Sequence, residues 1–272
     1  MSRSRRSLLT TGVGLASVAL AGCLAPSTET RDRAVRTLDA ADTDDLTVAN
    51  QNGSVRVSTW GEPTVELTVI KRTRADRSVF DDVSVRTPLD GGTRTVAVDY
   101  ATDRARRRVA VDLVLRVPTS LRVARVETVN GDVAVTGTVG DGSFVTQNGR
   151  VTATDIDGFL TLTTSNGTVE STGCTGIDGA RTVNGTVDVE ILSLRRDVEL
   201  AAVNGSVEAA VSPSLDADVT VSVSNGTITV EGVDLADVDR SGTRLTGTLG
   251  EGGTALELRT TNGTATLRAL DE

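Results

Sequence analysis

Thr128-Val129-Asn130-Gly131-Asp132-Val133-Ala134-Val135, Thr146-Gln147-Asn148-Gly149-Arg150-Val151-Thr152-Ala153 and Thr164-Ser165-Asn166-Gly167-Thr168-Val169-Glu170-Ser171 are three copies of one pattern, 18 residues apart. Asn-Gly recurs at Asn52, Asn130, Asn148, Asn166, Asn184, Asn204, Asn225 and Asn262. The spacing is 18 three times, then 20, 21 and 37, the last read as about two periods. Four residues before each Asn stands an apolar side chain, such as Val126, Phe144 or Leu162. Three and five residues after it stand Val133 and Val135, Val151 and Ala153, and their counterparts. Polar residues fill most places between. This alternation predicts two short, half-buried strands per unit, joined at Asn-Gly. Asn and Gly reach the positive φ that a tight bend needs at least cost. Gly140, Gly158 and Gly176 mark the far side of the units at the same period.

Two architectures fit such units. In an antiparallel meander each Asn-Gly is a hairpin tip. In a parallel β-solenoid each unit is one coil of about 18 residues and Asn-Gly is a corner. The solenoid is favoured, because stacking rewards the same residue type at the same place in every coil. It also lets the Asn side chains form an amide ladder along one edge. One coil buries too little to fold alone, so several must stack. The fold class expected is therefore all-β: a parallel β-helix or β-solenoid with a longer-stranded N-terminal segment. Runs at 64–70, 82–87, 95–99 and 109–117 interrupt the short period, and Pro118 closes the last. They predict wider coils or a cap over residues 41–119, with regular repeats over 120–270 and one domain across 41–270.

The chain opens with Arg5-Arg6 before an apolar run over residues 8–21, ending Leu20-Ala21-Gly22-Cys23. The run is short for a bilayer span. Residues 1–22 read as a twin-arginine export signal, with Cys23 as the lipid-modified residue of a lipobox. Residues 23–40 are polar and predict a flexible tether. The expected location is the extracytoplasmic face of the cell membrane, held by the lipid.

Composition excludes several function classes. Formal charge is −9, from 37 acidic and 28 basic residues, so a nucleic-acid partner is not expected. There is no histidine to serve as a base or metal ligand. The aromatic residues Trp60, Tyr100, Phe80, Phe144 and Phe159 are scattered. Only Lys71 is lysine, and this acidic composition points to a halophilic archaeon, with a GC-rich genome as the plainer reading.

The unit Val129-Asn130-Gly131-Asp132-Val133-Ala134-Val135, the Thr-x-Asn-Gly-x-Val repeats, the early Gln51-Asn52-Gly53-Ser54-Val55 unit and Val117-Pro118 together resemble the putative-adhesin domains of bacteria and archaea, a family of unknown function. The resemblance covers about residues 41–270. It implies a β-solenoid on exported or membrane-tethered proteins and supplies no catalytic residues.

Other candidates have plainer explanations. Cys174, without a histidine partner, reads as a packed residue. Asp155-Ile156-Asp157-Gly158 and Gly140-Asp141-Gly142-Ser143 lack a full set of calcium ligands and read as solvated turns. The Asn-Gly-Ser/Thr sequons are produced by the repeat itself, with glycosylation as the alternative. Arg104, Arg106, Arg107 and Arg108 form the one basic cluster, a solvated loop or a contact for lipid headgroups or anionic glycan. The function expected is a non-catalytic, lipid-anchored surface module for adhesion, scaffolding or partner binding, with no cofactor or metal. Its partners are the membrane through the anchor and a surface protein or glycan. The alternatives are an accessory of an envelope signalling or stress system and, lastly, a glycan-processing β-helix enzyme with paired Asp residues.

Overall fold

The computed structural model describes residues 29–270. Arg5, Arg6 and Cys23 lie outside the described residues. The chain is almost all β, with 66% strand and 4% helix, in one long and mostly parallel sheet. Each coil places one strand before Asn-Gly and one after it. The following strands Val133–Thr136, Val151–Thr154, Val169–Thr172, Val187–Ile191 and Val207–Val211 stack in parallel register, Val on Val at the first position. The preceding strands stack likewise and bring Asn130 opposite Asn148 and Asn184 opposite Asn204. The parallel register excludes the meander.

The alternation explains the interior. Val126, Phe144, Leu162 and Leu200 are fully buried, as are Val133, Val151, Val169 and Val187. They belong to one core running from Leu46 to Leu267. Burying such side chains contributes roughly 1.5–3 kcal/mol each. A flat coil leaves room inside for only a few of them, so Val and Leu dominate and Phe144 is the largest fully buried side chain.

Coil order along the rod departs from chain order at both ends. The Asn52 coil lies between residues 93–118 and the Asn130 coil. Strand Ala255–Ala269, with Asn262, lies between the Asn204 coil and strand Ala217–Glu231, with Asn225. The 37-residue interval is therefore not two successive coils. Its middle forms Ala236–Arg240 and Arg244–Leu249, which pair antiparallel outside Ala217–Glu231. The chain then returns to fill the place it had skipped.

The N-terminal end corrects two expectations. Residues 41–119 are not a run of wider coils. They hold the Asn52 coil, an outer coil built from Thr93–Tyr100 and Val109–Pro118, and antiparallel strands that finish it. The described part of the expected tether is corrected as well, since Thr30–Asp39 is a strand paired antiparallel with Thr64–Thr73. Most of its side chains are exposed, Val35 by 52%, so it carries no apolar period to read. Its charged residues, among them Arg31, Asp32, Arg33 and Arg36, discourage further pairing at an open edge.

Each corner glycine stands against the one before it. At Gly149 and Gly167 φ is +152. A Cβ at Gly167 would overlap the carbonyl oxygen of Gly149, and one at Gly149 that of Gly131. We expect Gly167→Ala to cost at least about 3 kcal/mol, from strain and overlap together. Thr164→Val, which removes one buried hydrogen bond, is expected to cost about 1–2 kcal/mol. Denaturant melts of both variants check the order, and equal midpoints would contradict the packing described.

Candidate functional site

The Asn-Gly corners form one straight edge. Asn130 Nδ2 donates to Asn52 Oδ1 at 2.7 Å, Asn148 to Asn130 at 2.8 Å, Asn166 to Asn148 at 2.8 Å and Asn184 to Asn166 at 2.8 Å. Asn204, Asn262 and Asn225 continue the ladder in that spatial order, at 2.9, 2.8 and 3.1 Å. Asn52 Nδ2 ends it on the carbonyl of Arg106, at 2.7 Å. A carbonyl can only accept, so this last bond fixes the direction of every amide in the row. All N–H ends point toward the Arg106 end, and the amide dipoles add.

Behind the Asn row runs a second ladder. The Oγ1 of Thr146 donates to Gly131 O at 2.8 Å, that of Thr164 to Gly149 O at 3.0 Å and that of Thr182 to Gly167 O at 3.1 Å. These threonines are buried. Their position, two before Asn, shares the parity of the apolar position four before. That inward signal was present in the sequence, although the residue type read as outward. In the first coil Asn50 takes this place and donates to Gly53 O and Val111 O.

At the Arg106 end the Asn-Gly corner is replaced by the short helix Asp103–Arg108, capped by Thr102, whose Oγ1 accepts from Ala105 N. Ala105 is buried, while Arg104, Arg106, Arg107 and Arg108 are exposed. Tyr100 lies just before the helix, and burial pushes its hydroxyl up to about 12, so it stays protonated. Beside the helix opens a groove of about 1200 Å³. The helix contributes Arg106, Arg107 and Arg108, the first strand Arg31, strand Thr64–Thr73 and the residue after it Arg72 and Arg74, and the Asn52 coil Arg56. Its carboxylates are Glu29, Asp112 and Asp132.

Asp112 anchors the floor. Its carboxylate accepts from Ser54 N at 2.9 Å and pairs with Arg72 Nε at 2.7 Å. Burial works to raise this carboxyl, but the hydrogen bonds from Arg72 and Ser54 outweigh it and hold the group below the usual carboxylate range. Glu29 is held low by its hydrogen bond from Arg31. Among the described residues, Arg74, Arg107 and Arg108 make no salt bridge. Sequence reading found the helix arginines and missed Arg31, Arg56, Arg72 and Arg74. Only the pairing of distant segments brings those four together, antiparallel for Arg31 and Arg72 and parallel for Arg56.

The remaining candidates have structural partners. Cys174 is fully buried, its Sγ lies 3.5 Å from Thr172 O, and burial pushes the thiol up. Asp141 accepts from Phe159 N and from Arg195, and Asp157 accepts from Thr175. Arg195 also pairs with Asp178 and lies 4.2 Å over the Phe159 ring, tying several coils together on the far side. Among the described residues no group of three or more His, Cys, Asp or Glu is placed to hold a metal ion. No described helix is long and apolar enough to cross a membrane.

A family model described as Toastrack DUF4097 matches residues 37–268. The chain belongs to the Toastrack family. The matched region takes in every Asn-Gly corner and the helix Asp103–Arg108. Similar solved structures include a putative cell adhesion protein from Clostridium sporogenes, 10% identical, with a TM-score of 0.35 over 89% of this chain and 100% of that one. A putative adhesin from Bacteroides fragilis and a putative lipid binding protein from Parabacteroides distasonis are each 10% identical. Both have TM-scores of 0.37 and cover 88% of this chain and 97% of theirs. No curated protein matches this chain.

Two expectations follow. Every Asn in the ladder uses its Nδ2 as a donor, and a glycan on that atom would collide with the next coil. Intact mass of the natively produced protein is expected to show no added hexose at these sequons. The second concerns Glu170, Asp188 and Glu208, which stack in register on the outward face. Burial first, then Glu208, raises the Asp188 carboxyl, with Arg268 opposing. A raised native pKa means the charged form is penalised in the fold above that pKa, and the penalty disappears below the unfolded value. Asp188→Asn should therefore gain about 0.5 kcal/mol at neutral pH, and the gain should vanish as the pH falls below about 4. Thermal melts across pH check the sign.

Proposed function

We propose that this Toastrack chain is a non-catalytic surface module, held to the extracytoplasmic face of the membrane by a lipid on Cys23. The observation that carries this reading is the placing of the groove. Glu29 and Arg31 line it, and only five residues stand between Cys23 and Glu29. The six Cα-to-Cα steps from one to the other span at most about 22 Å. A lipid on Cys23 would hold the basic end of the rod against the bilayer and direct the Asn225 end away from it. Nine coils at about 4.8 Å each would carry that end about 40 Å outward.

The rod suits presentation more than chemistry. Its outward rows are exposed Thr, Glu and Arg side chains on stiff parallel strands, a surface that a partner protein or glycan can read without rearranging it. The acid-rich, nearly lysine-free composition fits a setting of high salt, in which a surface must hold water and stay soluble.

The anchor is tested by detergent phase partition. The parent is expected in the detergent phase and Cys23→Ser in the aqueous phase. An aqueous parent would remove the anchor from the reading. Arg5→Lys with Arg6→Lys is expected to leave the chain inside the cell, as read by protease accessibility on intact cells.

A further inference from the structure

The groove has a charge that the rest of the chain does not share. The whole chain carries −9, yet seven arginines meet three carboxylates here. Glu29 and Asp112 are already engaged by Arg31 and Arg72. Arg74, Arg107 and Arg108 are exposed and make no salt bridge with a described residue. A neighbouring hollow carries the same character, with Arg104, Arg107 and Arg108 against Asp76 alone. The Asn ladder adds to this, because the N–H ends of its aligned amides face this end of the rod. The last turn of the helix and Asp103 account for part of this charge, but Arg74, Arg107 and Arg108 form no salt bridge with a described carboxylate, so the cluster points to an external anion.

We propose that the groove binds the phosphate groups of anionic phospholipids in the membrane that holds the chain. Guanidinium groups suit this ligand, since each offers two parallel N–H donors to phosphate oxygens. This assignment rests on the lipid-anchor reading, because the short stretch between Cys23 and Glu29 is what confines the groove to the headgroup layer. Confinement raises the effective concentration of headgroups above that of any soluble phosphate. It also supplies an electrostatic hold beside the acyl one, the two-signal arrangement by which peripheral proteins stay bound.

The test uses the full chain carrying Cys23→Ser, which cannot be acylated, so its outcome does not depend on whether the anchor exists. Sedimentation is compared with vesicles of phosphatidylcholine alone and of phosphatidylcholine mixed with phosphatidylglycerol. The phosphatidylcholine vesicles register any binding by the apolar run of residues 8–21. We expect binding that requires phosphatidylglycerol and weakens by about 10- to 30-fold in Arg107→Ala/Arg108→Ala. It should weaken further with Arg74→Ala and stay unchanged in Arg259→Ala, far along the rod. Unchanged melting temperatures will show that these exposed substitutions leave the fold intact. Equal binding to both vesicle types would overturn the proposal, as would a triple variant that binds like the parent. Inorganic phosphate at matched ionic strength forms the other arm. A rise in melting temperature with phosphate, lost in the variants and without any phosphatidylglycerol-dependent sedimentation, would make a soluble phosphate the ligand and overturn the lipid assignment.

Discussion

The carbonyl oxygen of each corner glycine occupies the space that a side chain of the next corner would need. That close approach sets the phase of the whole rod. It places Gly131, Gly149 and Gly167 directly over one another, and with them the asparagine beside each and the threonine behind. Once the corners are in phase, every inward row is in phase too, and Val stacks on Val. The glycine carbonyl is not left bare, since the threonine hydroxyl of the neighbouring coil donates to it. A buried acceptor in a dry interior needs such a partner.

Stability in such a stack is shared between neighbours, and no coil is complete alone. The two ends then become the weak points, where a row of backbone groups loses its partners. Both ends break chain order, in opposite senses. At the C-terminal end the chain lays one coil beyond its next position, turns back through antiparallel strands and fills the gap it left. At the N-terminal end it lays the Asn52 coil first, adds the outer coil on one side of it, and then crosses to continue on the other side. Strand Ala255–Ala269 is consequently an interior one, with neighbours on both sides, so releasing it must break hydrogen bonds along both of its edges. The outermost strands are short or strongly charged, which limits pairing with another molecule.

The two ends differ in their electrostatics. At one the Asn ladder stops on Asn225, and at the other it stops on the carbonyl of a helix crowded with arginine. The rod thus has a polarity that its repeat, taken coil by coil, does not possess. It comes from replacing one Asn-Gly corner with the segment around Asp103–Arg108, and the basic groove is the direct result.

Much of this was legible in the residues. Val126, Val133 and their equivalents announce the inward rows, because alternation is local and each coil repeats it. The buried threonines were legible in parity alone, since a hydroxyl on an inward position is ordinarily a poor guess until its acceptor is known. Thr30–Asp39 was illegible, because a strand exposed on both faces leaves no pattern. The sequence by itself determined the coil length and the corner chemistry, both set by interactions between residues one coil apart, and it favoured parallel stacking over a meander; the register of the strands made that choice. The order of the coils at the ends and the meeting of Arg31, Arg56, Arg72, Arg74 and Arg107 in one groove were decided only in three dimensions. They depend on which distant edges pair, and backbone hydrogen bonds join any two strands alike.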